Sequence, residues 1–212
     1  MKRKLAGLYA ITPDTPGTET LVRNVAHALR GGAAVVQYRN KAAVPDLRWE
    51  QGQALALLCR EANACFIVND DVALALELDA DGVHLGAEDG DLVMARRQLG
   101  PGKLLGASCY DRIDLAETAV QAGVDYLAFG SVFGSITKPV AVRAPLSLFA
   151  QAHRRFSLPL VAIGGINLQN APQVFAAGAD AVAVISALFD AGDIAERATE
   201  FTRLYQQQRM QQ

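Results

Sequence analysis

Apolar runs of strand length alternate with segments of helical period from one end of the chain to the other. We predict strands at residues 7–12, 33–39, 65–69, 82–85, 104–108, 126–130, 160–164 and 181–185. Strands this uniformly apolar need cover on both faces, which indicates parallel strands joined by crossover helices. The alternation therefore restricts the chain to the α/β class.

A short motif rich in Gly, Ala and Asp precedes every second predicted strand. It reads Gly32-Ala33-Ala34, Asp79-Ala80-Asp81-Gly82, Gly123-Val124-Asp125 and Gly178-Ala179-Asp180. This even spacing favours a closed (β/α)8 barrel, the TIM barrel, over an open doubly wound sheet. No linker or change of composition divides the 212 residues, so we predict one domain over residues 1–212. We expect only the polar tail from Gln206 to fray.

Composition excludes several classes of partner. A net charge of −2 gives no electrostatic footprint for nucleic acid or an anionic membrane. The N-terminus does not resemble a signal peptide, and the apolar runs are too short to cross a bilayer. Cys59, Cys65 and Cys109 lack metal-ligand spacing and are expected to be reduced, buried thiols. We expect a soluble cytoplasmic protein that binds small molecules.

Two acidic residues follow neighbouring predicted strands. Asp70 comes after the third strand and Asp89 after the fourth. Neighbouring strand ends can bring carboxylates around one cation, and Mg²⁺ takes one or two carboxylates plus phosphate oxygens and waters. Either acid can instead cap the following helix. Cations at the same barrel mouth favour the metal site.

Those cations follow the second and sixth predicted strands. Gln37 and Arg39 point to one side of their strand, and if that side is the interior, the guanidinium of Arg39 can grip diphosphate oxygens. Lys41 and Lys138 would act on the same group as point charges. Surface salt bridging is the alternative, and it stays open for Lys41.

The last two predicted strands lead into Gly164-Gly165 and Ser186. Barrels often hold phosphate at these two loops through backbone N–H groups and a short helix. Gly165 lets the backbone approach an anion, and Ser186 adds an amide and a hydroxyl. A tight turn is the alternative explanation of the glycines, but the presence of Ser186 favours phosphate.

Other polar residues indicate what kind of reaction fits. Ser108 can hydrogen-bond a substrate but lacks a partnered base nearby in sequence, and His84 is expected to be a hydrogen-bonded core histidine. The sequence shows no Ser-His-Asp set and no strong general base. Ionisation of a diphosphate ester, followed by attack of a neutral nucleophile, needs only leaving-group stabilisation and positioning.

A set of motifs in a fixed order spans nearly the whole chain. They are residues 8–12, 37–41, 69–71, 81–86 with Asp89, 106–108, 130–133 with Thr137 and Lys138, 162–166 and 184–186. In order and in placement at strand ends, these motifs resemble the thiamine phosphate synthase family. The resemblance implies a TIM-barrel transferase of thiamine biosynthesis.

The resemblance also implies a reaction and its site. The enzyme would join 4-amino-5-hydroxymethyl-2-methylpyrimidine diphosphate to hydroxyethylthiazole phosphate, or its carboxylated form, and release diphosphate. The substitution would be dissociative and assisted by Mg²⁺ on Asp70 and Asp89. The pyrimidine diphosphate would contact Gln37, Tyr38, Arg39, Asn40, Lys41, Asn69, Ser108 and Lys138. Of these, the catalytic residues would be Arg39, Lys41, Ser108 and Lys138. The thiazole phosphate would contact Ser135, Ile136, Thr137, Gly165, Ile185 and Ser186.

The chain departs from the family pattern at a few positions. Gly134-Ser135-Ile136-Thr137 stands where the family usually has Pro-Thr-x-Thr, and a glycine loosens a loop that closes over substrate. Asn40 replaces a usual acidic residue and Tyr38 a usual aliphatic one. These departures bear on loop closure and rate rather than on the type of reaction.

Three other functions remain to be weighed. A thiazole tautomerase barrel would keep the phosphate loops without needing Asn69 or the Asp70 and Asp89 pair. A barrel that only binds a phosphate ligand would tolerate loss of Arg39 or Lys138. A sugar-phosphate epimerase would need a paired acid and base at the mouth. The residues present favour the synthase over all three.

Overall fold

The structure is a computed structural model that describes residues 5–86, 88–134 and 143–210. Eight parallel strands close into a barrel in chain order, each pairing with the next and β8 with β1. The strands are β1 (Gly7–Ile11), β2 (Val35–Tyr38), β3 (Cys65–Asn69), β4 (Gly82–Leu85), β5 (Leu104–Tyr110), β6 (Tyr126–Phe129), β7 (Leu160–Ile163) and β8 (Ala181–Val184). The predicted (β/α)8 barrel is therefore confirmed.

Helices follow the strands and form the outer layer. They are α1 (Thr18–Arg30), α2 (Pro45–Glu61), α3 (Val72–Glu77), α4 (Leu92–Leu99), α5 (Ile113–Gln121), α6 (Ser147–Arg155), α7 (Ala171–Ala176), α8 (Ser186–Phe189) and α9 (Ile194–Arg209). Helix α9 continues past Gln206, where the sequence predicts fraying, because glutamine is a good helix former.

Strand residues alternate between two apolar layers. Val35 faces the barrel interior with Tyr9 and Tyr126, whereas Val36 faces the helices. This alternation follows from the period of two in a strand. The interior is filled by side chains, so substrate has to bind at one end of the barrel, and in this fold that is the end where the strands finish.

Three aspartates explain three of the four occurrences of the motif that precedes alternate strands, and the fourth, residues 32–34, has no aspartate. These rim aspartates are Asp81, Asp125 and Asp180, directly before β4, β6 and β8. Each carboxylate accepts the backbone N–H of a residue in the preceding strand. The donors and distances are Phe66 at 2.8 Å, Leu105 at 2.8 Å and Leu160 at 2.9 Å. The motif therefore joins strands at the barrel end opposite the expected site.

Replacing one rim aspartate should lower stability without touching the site. Asp180→Ala leaves the N–H of buried Leu160 without its carboxylate, and we expect the free energy of unfolding to fall by roughly 1–3 kcal/mol. Urea denaturation followed by circular dichroism measures this change. The control is Glu61→Ala, at an exposed position in the last turn of α2. Equal stability of the two variants would contradict the structural role of Asp180.

Two expectations from composition can be compared with the structure. Cys59, Cys65 and Cys109 are buried, as the sequence predicts. Burial raises the pKa of the Cys109 thiol to about 12, which keeps it protonated at neutral pH. Within the described ranges, none of the helices has the length and apolar character needed to cross a bilayer.

Candidate active site

The loops after β1 and β2 are joined at the carboxyl end of the barrel. The hydroxyl of Thr12 accepts the N–H of Arg39 and donates to its carbonyl, both at 2.9 Å. One carboxylate oxygen of Asp14 accepts the N–H of Lys41 at 2.8 Å and the Arg39 guanidinium at 3.1 Å. Thr12 and Asp14 therefore position both cations. Sequence reasoning missed this role, although both residues directly follow an apolar run, as the other site residues do.

Lys41 connects these loops to the loop after β3. Its Nζ lies 3.1 Å from Oδ2 of Asp70, and the same oxygen accepts the side-chain amide of Asn69 at 2.5 Å. The sequence left open whether Lys41 forms an ordinary surface salt bridge. In the structure, its partner is one of the two predicted metal ligands. Cations and carboxylates thus meet between the ends of β2 and β3.

The alternative role of Asp70 and Asp89 as helix caps does not hold. Helix α3 is capped by Asp71, which accepts the N–H of Leu74, and helix α4 is capped by Asp91. Because neighbouring aspartates satisfy these helix ends, Asp70 and Asp89 remain available for another role.

Both acids are held beside the end of β4. The N–H of Asp70 donates to the carbonyl of His84 at 2.9 Å, and a carboxylate oxygen of Asp89 accepts the N–H of Gly86 at 3.1 Å. Asp70 has a φ of 62°, in the left-handed region that aspartate and asparagine tolerate better than most residues. The backbone thus places Asp70 in an uncommon conformation at the barrel mouth.

Two carboxylates on adjacent strand ends are a donor set that Mg²⁺ accepts when phosphate oxygens and waters complete its coordination. In the described part of the chain, no group of three or more His, Cys, Asp or Glu is arranged to hold a metal ion by itself. Asp70 and Asp89 therefore fit a cation that arrives with a phosphate ester better than a cation held by protein alone.

Residues of β2 and its loop point in two directions. Gln37 faces the interior, where its amide donates to the hydroxyl of Tyr9 at 2.9 Å, as the predicted alternation allows. The hydroxyl of Tyr38 and the amide of Asn40 both donate to Oε1 of Gln51 in α2, each at 2.9 Å. The resemblance implies substrate contacts for Tyr38 and Asn40, but their side chains instead brace the loop from behind.

A chain of buried polar side chains leads from Gln37 to Ser108. It passes through Tyr9, Tyr126 and His84. The Tyr9 and Tyr126 hydroxyls lie 3.0 Å apart, Tyr126 lies 3.0 Å from Nδ1 of His84, and Nε2 of His84 lies 2.9 Å from Ser108. Burial lowers the pKa of His84 to about 4, so the ring is neutral at pH 7. His84 is therefore the hydrogen-bonded core histidine that the sequence predicts.

A packing constraint accounts for the glycines after β7, in addition to the phosphate binding that the sequence predicts there. Gly165 has a φ of 63°, and an added Cβ would lie 2.6 Å from the carbonyl oxygen of Gly134 and 2.8 Å from that of Phe133. The N–H of Phe133 donates to the carbonyl of Gly164 at 2.9 Å. Phe133 and Gly134 therefore rest directly on the turn after β7. Asn170 holds this turn by donating to the carbonyl of Gly165 at 3.0 Å.

The short helix expected after β8 is present. Ile185 is the N-cap of α8 and Ser186 is its first residue. The first N–H groups of a helix have no partner inside it, so they are suited to bind an anion. Ser186 adds a hydroxyl at the same helix end.

Four of the predicted substrate contacts cannot be placed. Ser135, Ile136, Thr137 and Lys138 lie outside the residues that the structure describes. Gly134, the last described residue before them, lies beside Gly165.

The barrel fold and the residues at its mouth together indicate a class of protein. A (β/α)8 barrel with cations and carboxylates after β2 to β4, and a glycine turn and short helix after β7 and β8, is an enzyme scaffold for phosphorylated small molecules. Residues 8–188 match the sequence profile of the family described as thiamine monophosphate synthase. The chain belongs to this family.

Individual relatives agree with the family match over the whole chain. A thiamine-phosphate synthase of Aromatoleum aromaticum is 56% identical over 95% of this chain and 97% of its own length. One of Methylobacillus flagellatus is 53% identical over 95% of this chain and 96% of its own length. A solved thiamine phosphate pyrophosphorylase of Pyrococcus furiosus superposes with a TM-score of 0.85 at 38% identity, covering 96% of each chain.

Proposed function

We propose that this protein is a thiamine-phosphate synthase. It joins 4-amino-5-hydroxymethyl-2-methylpyrimidine diphosphate to hydroxyethylthiazole phosphate, or its carboxylated form, and releases thiamine phosphate and diphosphate. The carboxylated form releases CO₂ as well. Family membership supports the reaction. The observation that carries the site is the ion pair between Lys41 and Asp70, because it brings a phosphate-binding cation and a metal-binding carboxylate together at the barrel mouth.

The diphosphate of the pyrimidine substrate binds between the ends of β2 and β3. Arg39 supplies a planar fork for two phosphate oxygens, and Lys41 supplies a point charge. Asn69, whose amide already donates to Asp70, adds a neutral donor at the same place. Lys138 completes this group of cations. Together they stabilise the negative charge that develops on the departing diphosphate.

Asp70 and Asp89 would hold Mg²⁺ at the place where the diphosphate binds. When bound, the ion acts as a Lewis acid that withdraws charge from the phosphate oxygens and so makes diphosphate a better leaving group. Lys41 is paired with Asp70 in this structure. Lys41 would be free to bind phosphate oxygens when Asp70 instead holds the cation.

The reaction proceeds by dissociative substitution. The bond between the pyrimidinylmethyl carbon and its ester oxygen breaks, and its electron pair leaves with diphosphate. The amino-substituted pyrimidine stabilises the resulting cation, and the neutral thiazole nitrogen then donates its lone pair to form the new carbon–nitrogen bond. No proton has to be removed, which agrees with a neutral His84 bonded through both ring nitrogens to Tyr126 and Ser108.

The thiazole phosphate binds at the loops after β6, β7 and β8. Gly165, Ile185 and Ser186 present backbone N–H groups and a hydroxyl. Ser135, Ile136 and Thr137 complete the proposed contacts to this phosphate. The reaction takes place in the cytoplasm, where the three buried cysteines stay reduced.

A product assay tests this function. The purified protein is incubated with both substrates and Mg²⁺, and we expect thiamine phosphate and diphosphate in equal amounts by liquid chromatography. Isomerisation of a thiazole phosphate without the pyrimidine substrate would instead indicate a tautomerase. Binding of either phosphate ligand without any conversion would indicate a binding protein. Either result would overturn the proposal.

A further inference from the structure

We propose that Tyr9, Tyr126 and His84 are positioning residues that orient the hydroxyl of Ser108 as a hydrogen-bond donor to a ring nitrogen of the pyrimidine. The inference rests on the proposed function for the identity of the substrate. Its geometric basis is the polar chain from Gln37 to Ser108, which runs through β2, β1, β6, β4 and β5 inside the barrel.

The hydrogen bonds of this polar chain all donate in one direction, from Gln37 towards Ser108. The Gln37 amide nitrogen can only donate, so Tyr9 accepts from it. Within the described residues, Tyr126 is the one other partner of the buried Tyr9 hydroxyl, so the single hydrogen of Tyr9 goes to Tyr126. Tyr126 has then accepted one hydrogen bond and donates its own hydrogen to Nδ1 of His84. Nδ1 of His84 therefore carries no hydrogen.

The direction continues through the imidazole to the barrel mouth. A neutral imidazole has one N–H, and with Nδ1 as acceptor that N–H is on Nε2, which donates to Oγ of Ser108. The hydroxyl hydrogen of Ser108 is then free to point to the substrate. If the hydrogen bonds ran in the opposite direction, Ser108 would donate its only hydroxyl hydrogen to His84 and could not donate to a pyrimidine nitrogen.

Burial of these side chains limits competition from water for their hydrogen bonds. Tyr9 and Tyr126 are 1% and 0% exposed and His84 is 8% exposed, so water has little access to compete for their hydrogen bonds. Burial also raises the pKa of both tyrosines, which keeps their hydroxyls protonated at pH 7. Each tyrosine hydroxyl therefore has one hydrogen to donate to the next side chain in the series.

A double-variant cycle tests whether Tyr126 acts through Ser108. Tyr126→Phe removes the hydrogen that sets the His84 tautomer, and we expect the KM for the pyrimidine diphosphate to rise roughly tenfold, the value of one hydrogen bond, while the KM for the thiazole phosphate is unchanged. Added to Ser108→Ala, the same change should have no further effect. A multiplicative effect in the double variant would mean that Tyr126 acts only through barrel packing and would overturn the proposal.

The control for this cycle is Tyr205→Phe. Tyr205 packs against Phe175 in the helix layer and lies beside Gly7 at the start of β1, away from the mouth. Removing its hydroxyl should leave both KM values unchanged.

The tautomer of His84 can be measured without any substrate. In a two-bond ¹H–¹⁵N spectrum of imidazole-labelled wild-type protein, the His84 signals are identified by their loss in His84→Gln. We expect a protonated Nε2 and a bare Nδ1. A protonated Nδ1 would overturn the proposal even if the protein makes thiamine phosphate. Failure to make thiamine phosphate would refute the function while leaving the tautomer result intact.

Discussion

Replacing Asp70 by asparagine lowers the kcat for thiamine phosphate formation by roughly 100-fold, because a metal-assisted departure of diphosphate loses several kcal/mol of charge stabilisation. Asparagine keeps the size of the side chain and tolerates the φ of 62° at this position, so the fold should be retained. Initial rates over a range of Mg²⁺ concentrations measure the effect. Thermal melts establish that the variant is folded.

The neighbouring acid provides a matched control for this experiment. Asp71→Asn removes a negative charge one residue away but keeps an oxygen that can cap α3, as Asp71 does through the N–H of Leu74. Its kcat should stay within a few-fold of the wild type. If Asp70→Asn retained similar turnover at every Mg²⁺ concentration, Asp70 would not be a metal ligand.

Gly165→Val raises the KM for the thiazole phosphate by roughly tenfold or more, because the added side chain displaces the loop after β6 and small displacements of binding groups are costly. The new Cβ would meet the carbonyl oxygens of Phe133 and Gly134, which are backbone atoms that cannot turn aside. A residue with a Cβ also costs about 1–2 kcal/mol in the left-handed conformation. Steady-state kinetics with each substrate varied in turn separates the two KM values.

The control for Gly165 is a glycine in open space. Nothing lies within 4 Å of a Cβ added at Gly192, so Gly192→Val should leave both KM values unchanged. An increase in the KM for the pyrimidine diphosphate alone in Gly165→Val would show that the two substrate pockets are assigned to the wrong loops.

The barrel could be predicted from sequence because its strands carry a local signal. Residues 65–69 and 82–85 are strands with the predicted bounds, since short apolar runs ending in polar residues have few other uses in an α/β protein. The bounds of β2 are tighter than predicted, at Val35–Tyr38. Ala34, just outside these bounds, still donates its N–H to Leu8 and accepts the N–H of Cys65.

Contacts between distant strands could not be predicted in the same way. The period of two assigns Gln37 to a face but does not say that Tyr9 and Tyr126 meet it inside the barrel. Likewise, Gln51 is fully buried in α2, where an apolar residue would be expected, because Tyr38 and Asn40 bind it. Such partners depend on barrel closure, which no short segment encodes.

The choice between two uses of an aspartate also needed the structure. Sequence alone allowed Asp70 and Asp89 to be helix caps, since many loops after strands carry a capping aspartate. Only the hydrogen bonds of Asp71 and Asp91 show which acids cap α3 and α4. Whether an acid caps a helix or can bind a ligand depends on its exact position in the chain. Asp70 lies one residue before the cap Asp71, and Asp89 lies two residues before the cap Asp91.

The rim aspartates have a consequence for protein engineering. They tie the strands together at the end of the barrel where β4, β6 and β8 begin, whereas Arg39, Asp70 and their neighbours lie where strands finish. The stability of the barrel and the reaction at its mouth therefore depend on separate sets of side chains. A library that randomises the mouth loops while keeping Asp81, Asp125 and Asp180 fixed should yield mostly folded members, from which barrels with altered substrate preference can be selected.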